Sequence, residues 1–346
     1  MFVLDQSPGR TTIIDGREHL FFSGYAYLGM SHVPQFVALV KEGINKYGLL
    51  HPSSRISNTQ LNVFGEMEAT LSSLTSHEEA VIYSSGFLAG RAVVDWITLQ
   101  PRECFFAPGT HPALHTPYSI LLNEDWQQHL LNIMGNNSND ITVLCDSVNP
   151  LRATITDFSF LRNVPADKRL ICVIDDSHGI GLLSNNGEGI SKMLPKLANV
   201  EYILAYSLSK AFHIIGGAVS CSKRIAASLR ASPFYTASTS IAPSLCYAFI
   251  HGQHIYHHQR KRLLENTTYL QEQFPERQQV HTHPQLPIAV LEAKYDQEFF
   301  VAHDMIISSF SYPDPSGTKI NRIVLNALHT LEDIQRLSTV LAKSKP

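Results

Sequence analysis

Short apolar runs closed by small or polar residues recur through the middle of the chain, with amphipathic stretches between them. AVIY (80–83) runs into Ser-Ser-Gly, and FLAGRAVVDWITL (87–99) follows at once. ECFFAP (103–108), DITVLCDSV (140–148), RLICVIDDSH (169–178), EYILAYSLSK (201–210) and GAVSCSK (217–223) repeat the first kind of pattern. Their β-branched content and their Gly, Pro, Asp or Asn borders predict strands. Near-continuous apolar strands alternating with helical stretches predict an α/β fold, its mostly parallel sheet covered on both faces. Ligands bind beyond the carboxyl ends of the strands in such sheets, so the polar residues at those ends are the ones to weigh.

YTASTSIAP (235–243) interrupts the alternation. A long helix is predicted from about Pro243 to Phe274, followed by a smaller alternation in which PIAVLEA (287–293) and NRIVLNAL (321–328) are strands. Thr330, with Asp333 at the third helical position, predicts a capped start for the last helix. The division expected is a large domain over 45–240 and a small domain built from 1–44 and 241–346.

Composition narrows the function classes. Hydrophobic residues make up 44% of the 346 and charged residues 16%, enough apolar surface for a sizeable core. Lys+Arg 27 against Asp+Glu 30 leaves a net charge of −3, so no electrostatic case exists for nucleic acid or an anionic membrane. No apolar run approaches the roughly 18 residues that cross a bilayer. MFVLDQSPGRTT, at the start, has neither a basic region nor an apolar one, so no signal peptide is expected. Cys104, Cys145, Cys172, Cys221 and Cys246 are scattered and lack CxxC spacing, which predicts reduced, mostly buried thiols and a cytoplasmic location. His251, His254, His257 and His258 sit beside Arg260, Lys261 and Arg262 with no acidic residue in the cluster. They predict a solvated helix face, and no metal is expected.

Two strand ends carry chemistry. IDDSHGIG (174–181) ends one strand and YSLSKAFHIIGG (206–217) ends the next. Asp175 and His178, three apart, can face one ligand, and Lys210 sits among Ser and Gly with little bulk nearby. A lysine in that setting forms a Schiff base when its pKa is depressed, and a carboxylate facing it holds a pyridinium nitrogen protonated.

At these residues the chain resembles the α-oxoamine synthases, a family of fold type I pyridoxal-phosphate (PLP) enzymes. Tyr27-Leu28-Gly29 with Ser31 is similar to the family's Asn-Tyr-Leu-Gly-Leu-Ser entry. SSGFLAG (84–90) resembles its phosphate-binding segment. IDDSHGIG resembles its Asp-(Asp/Glu)-Ala-His-Gly-x-Gly motif, and SLSKAFHIIGG its lysine segment. The resemblance implies an aspartate-aminotransferase-like fold, with a seven-stranded, mostly parallel sheet in the large domain and a smaller α/β C-terminal domain. It implies that Lys210 carries the cofactor and shuttles a proton, that Asp175 pairs with the pyridinium N1, and that His178 bonds its O3′. His111 would stack on the pyridine ring. Gly86, Phe87 and Ser207 would hold the phosphate, with Ser238 and Thr239 reaching the phosphate of a neighbouring subunit in a homodimer with shared sites. Arg322 would bind the amino-acid carboxylate, and Arg55 would belong to the substrate site.

The activity implied is condensation of a small amino acid with an acyl-CoA or acyl-carrier-protein thioester, with decarboxylation. Alanine and a pimeloyl thioester, as in biotin synthesis, are the expected pair. The alternatives are a PLP-dependent aminotransferase or decarboxylase that uses no thioester, and a non-catalytic PLP-binding paralogue. Departures from the family pattern gather on the acyl side. Ala26 replaces the entry Asn, HPSSR (51–55) replaces a Gly-rich loop, Phe64 replaces a His, and NPLRAT (149–154) replaces Phe-Ser-Met-Asp-Gly-Asp.

Overall fold

The structure, a computed structural model, describes residues 2–136, 140–274, 280–312 and 314–343. In chain order its strands are β1 (Thr11–Ile14), β2 (Arg17–Phe22), β3 (Glu79–Tyr83), β4 (Glu103–Phe106) and β5 (Ile120–Leu121). Next come β6 (Ile141–Asp146), β7 (Val148–Asn149), β8 (Thr154–Ile155), β9 (Leu170–Asp175), β10 (Val200–Ser207) and β11 (Gly217–Cys221). The last four are β12 (Val280–Thr282), β13 (Ile288–Leu291), β14 (Met305–Phe310) and β15 (Ile320–Val324).

Seven strands form the large sheet in the order β3-β11-β10-β9-β6-β4-β5, and only β11 runs against the others. The central strands β6 and β9 are buried on both faces, as their unbroken apolar sequences require. Helices cover both sides, so the core splits into two clusters, one around Val143, Cys145, Ile174 and Leu204 and the other around Leu144, Val173, Ile203 and Val219. Alternate residues of one strand feed opposite clusters, because side chains alternate across a sheet. All five cysteines are buried and free.

The second sheet has the order β1-β2-β14-β15-β13-β12. Asp15 and Gly16, both with positive φ (50° and 76°), turn β1 into β2, as a two-residue hairpin loop demands. β2 then pairs in parallel with β14, nearly three hundred residues later. The final helix, Leu331–Lys343, begins with the predicted cap: Thr330 Oγ1 accepts from the Asp333 N–H (3.2 Å) and Asp333 Oδ2 from the Thr330 N–H (2.8 Å). Arg10 binds the same carboxylate through Nε and Nη2, at 2.7 and 2.6 Å.

One element differs from the sequence reading. The helix expected from Pro243 to Phe274 is two helices, Pro243–His251 and Gln253–Glu272, which meet at Gly252. A Cβ at Gly252 would lie 2.6 Å from the Ala248 carbonyl and 3.2 Å from the Phe36 ring, so the break accommodates close packing against helix Pro34–Tyr47. His251, His254, His257 and His258 are all exposed.

Candidate active site

The carboxyl ends of β3, β6, β9 and β10 converge, and each contributes one part of a polar pocket. β3 ends in Ser84-Ser85, and helix Gly86–Thr98 starts there, with the Ser85 side chain accepting from the Leu88 N–H at 3.1 Å. That cap leaves the Gly86 and Phe87 N–H groups without a protein acceptor among the described residues. Free N–H groups at a helix start bind anions. The helix start lies hard against β10: a Cβ at Gly86 would be 2.6 Å from Ser207 Cβ, and one at Gly217 would be 2.5 Å from Gly86 Cα. Two glycines therefore bring the Ser207 hydroxyl, itself bonded to Ser209 Oγ at 2.7 Å, beside those amides.

β10 leads into Lys210, which is largely withdrawn from water, and no protein hydrogen bond to its Nζ exists among the described residues. Burial lowers its pKa from the ordinary lysine range; Asp175 and Asp146 oppose that shift and Arg322 adds to it. Burial of this kind shifts a lysine toward its neutral, nucleophilic form relative to an exposed one.

β9 supplies Asp175 and, one turn on, His178. Asp175 Oδ1 accepts from the Ser177 N–H at 2.9 Å, and Oδ2 lies 3.8 Å from His111 Nδ1. The His178 imidazole is held well below its usual pKa, first by burial and then by the positive charges of Lys210 and Arg322. Tyr27, 1% exposed, has its phenol raised by burial and bonds His178 Nδ1 at 2.8 Å. The phenol and the imidazole share this one hydrogen bond, which sets the ring's orientation and leaves Nε2 as its other edge. The neighbouring Asp176 is fully buried and faces the other way. Burial raises its pKa to about 7, and Ser147 Oγ at 2.6 Å and the Ile190 N–H at 3.0 Å donate to it.

β6 supplies a carboxyl the sequence reading did not single out. Asp146 pairs in register with Asp175 on the adjacent strand, and its Oδ1 accepts from the His111 N–H at 3.0 Å. Above the strand ends, Arg322 of β15 donates from Nη1 to the Pro150 carbonyl at 3.0 Å, across from the second sheet, with its guanidinium over Phe310. Pro150 belongs to NPLRAT, the segment that departs from the family pattern.

Lys210, Asp175, His178 and His111 thus come together, with Arg322 facing them and Gly86, Phe87 and Ser207 at the β3 and β10 ends. Arg55, Ser238 and Thr239 do not join this group within the chain. Arg55 is interior, bound to Glu68 Oε1 at 3.3 Å between the Phe64 and Tyr235 rings, and its Nε and Nη1 find no partner among the described residues. Ser238 donates to the Phe234 carbonyl in the loop after helix Pro233–Thr236, and Thr239 is exposed. Tyr27 was read only as part of an entry motif. Asp146 had an unused signal, since ITVLCD and LICVID end alike, in an Asp after an apolar strand.

The residues present fit a PLP molecule. Among the described residues the site offers a lysine with no hydrogen-bonded partner, a carboxyl and a buried imidazole near it, and an anion-binding helix start beside a serine hydroxyl.

Comparison with known proteins places this geometry. The chain is 25% identical to the 8-amino-7-oxononanoate synthase of Coprothermobacter proteolyticus over 349 aligned positions, 94% of this chain and 88% of that protein. It is 23% identical to the protein of the same name from Buchnera aphidicola, over 96% of this chain and 91% of that one. Among solved structures, Sphingomonas wittichii serine palmitoyltransferase superposes with a TM-score of 0.86 at 18% identity, covering 98% of this chain and 90% of that one. The Francisella tularensis 8-amino-7-oxononanoate synthase gives 0.73 at 22% identity, covering 94% and 97%. A further serine palmitoyltransferase, TM-score 0.84 at 18% identity and covering 98% of this chain and 91% of that one, was solved with its PLP as an internal aldimine. No family model matches the chain.

Proposed function

We propose a reaction for this chain from the premise that it belongs to the α-oxoamine synthase family of fold type I PLP enzymes and is a PLP-dependent acyltransferase. The reaction is condensation of alanine with a pimeloyl thioester and loss of the amino-acid carboxylate as carbon dioxide, the 8-amino-7-oxononanoate synthase reaction. The observation that carries it is the desolvated, partnerless Lys210 facing Asp175 and overlooked by Arg322.

When bound, PLP supplies an electron sink conjugated to the amino acid's α-carbon. The chain supplies the rest. The Gly86 and Phe87 N–H groups and the Ser207 hydroxyl would hold the phosphate. The His111 ring would pack against the pyridine, and the Asp175 carboxyl would pair with its ring nitrogen. His178, oriented by its bond to Tyr27, would hydrogen-bond the phenolic oxygen. Lys210 Nζ, neutral for part of the time because of its burial, takes the proton from the α-carbon and later returns one. Arg322 grips the substrate carboxylate with the guanidinium edge not bonded to Pro150, so that the α-hydrogen points at the lysine. Ser238 and Thr239 would act on the site of a second copy, in a dimer with shared sites.

The test is thiol release from pimeloyl-CoA by the PLP-loaded protein, with and without alanine. Release that depends on alanine is the expected result. Release without alanine would overturn the reading. So would conversion of the cofactor to its pyridoxamine form by alanine alone, which would move the assignment to transamination.

A further inference from the structure

His111 needs something to hold it. It precedes Pro112, sits in a loop 5 residues past the end of β4, and leaves a third of its side chain exposed. Its ring Nδ1 accepts from the Ala113 N–H at 3.2 Å, a local turn contact, and beneath it the ring meets only Asp175 Oδ2, at 3.8 Å, too far for a hydrogen bond. The tie to the sheet runs through the main chain. The His111 N–H donates to Asp146 Oδ1 at 3.0 Å, and the preceding Thr110 Oγ1 donates to the Ala107 carbonyl within the loop at 2.6 Å and reaches the Leu144 carbonyl of β6 at 3.3 Å.

Asp146 stands at the end of β6, where it lies beside Asp175 in register on β9, the carboxylate 3.8 Å from the His111 ring. One side chain therefore contacts the loop that carries the covering ring and flanks the carboxylate on the pocket floor. Thr156 Oγ1 donates to the Asp146 carbonyl at 2.7 Å, so the aspartate's own backbone is held by the residue that follows β8. Burial, and then the adjacent Asp175, push the Asp146 carboxyl well above the usual carboxylate range, with only the His111 N–H and Lys210 opposing. Asp146 Oδ1 thus accepts a main-chain hydrogen bond at the position next to the Asp175 carboxyl.

We propose that Asp146 is a positioning residue of this site, seating the His111 ring over the pocket through its main-chain N–H while flanking Asp175 on the adjacent strand. The proposal rests on the reading of the pocket as a PLP site. It concerns the acceptor oxygen of Asp146 rather than its charge, and this makes it separable by substitution.

The experiment uses PLP-loaded protein and two readouts. One is the visible circular dichroism of the bound cofactor, which reports how its ring is held. The other is exchange of the alanine α-hydrogen for solvent deuterium. Asp146→Ala should slow exchange at least tenfold and reduce the dichroic band, because a displaced covering ring misplaces the reacting atoms. Asp146→Asn keeps an acceptor oxygen for the His111 N–H and should restore both readouts to within about threefold of the original. Should the alanine variant not fold, Asp146→Ser, whose hydroxyl is too short to reach that N–H, replaces it. Combined with His111→Ala, the Asp146→Ala change should slow exchange no further than His111→Ala alone, since both act through one ring. The inference is overturned if Asp146→Asn is as slow as Asp146→Ala, if Asp146→Ala matches the original, or if the two alanine effects multiply. A starting protein that takes up no PLP would overturn the underlying reading as well, before any variant is compared.

Discussion

Two groups of interior charges lie in this molecule, and they are built on opposite plans. In one, Glu68 accepts from Arg55 Nη2 at 3.3 Å, from Arg230 Nη2 at 2.9 Å and from the Ile82 N–H at 3.2 Å, and Arg230 also reaches Glu79 at 3.0 Å. In the other, around Lys210, the charges face one another without touching. Among the described residues Lys210 makes no hydrogen bond to a neighbour, and the His111 imidazole stands 3.8 Å from Asp175. Closed ion pairs fix one conformation, and removing one member strands the rest. Charges withdrawn from water yet left unpaired are destabilising, and they persist where a ligand completes them. The Glu68 group is a fastening, and the Lys210 group is arranged for chemistry. Arg55, which the family resemblance assigns to the substrate site, sits in the fastening.

The comparison makes the two groups respond oppositely to substitution. The largest effect expected is from Lys210→Ala: alanine-dependent thiol release should fall by a thousandfold or more, while the urea midpoint holds or rises. A lower midpoint would show that Lys210 is structural and would break the contrast. Glu68→Ala should do the reverse, costing about 3 kcal/mol of stability by leaving two arginines partly unpaired. Urea unfolding measures it, and PLP affinity of the folded protein at low temperature should stay within about twofold. Burial holds His329, stacked on Phe22 at 4.4 Å, down to about 4, below its ordinary 6.5. The unfolded chain then binds the extra proton first, so stability is complete above about 6.5 and is lost as pH falls toward 4. A His329→Gln variant should flatten that part of the pH–stability curve, by up to about 3 kcal/mol. The smallest effect separates Tyr27 from the residues it serves. Tyr27→Phe removes the bond to His178 Nδ1 and should slow α-hydrogen exchange up to about tenfold, with the unfolding midpoint nearly unchanged.

What the sequence made legible follows the same division. The parallel strands declared themselves as apolar runs, and Asp175, His178 and Lys210 stood out because each follows such a run. The Thr330–Asp333 cap was legible because both partners lie within one turn. Asp146 escaped because a single acidic residue at a strand end has no local partner; its meaning comes from β9 beside it and His111 above it. The break at Gly252 escaped because apolar periodicity continues across it, and only the approach of Phe36, over two hundred residues earlier, forces it. The pairing of Arg55 with Glu68 and Arg230 joins three distant segments, and no spacing rule reports that.

The parallel pairing of β2 with β14 sets a timetable for biosynthesis. Every strand of the large sheet has left the ribosome by Cys221, so that sheet can close while the chain is still growing. The β1–β2 hairpin, made first, must wait for residues 305–310 before its open edge is covered. At ordinary elongation rates that interval is on the order of tens of seconds. Through it, Leu20 and Phe22, buried in the finished protein, stand without their final partners. Strands β1 and β2 are thus made before the large sheet yet sheltered after it, with the apolar Leu20 and Phe22 open until β14 is made.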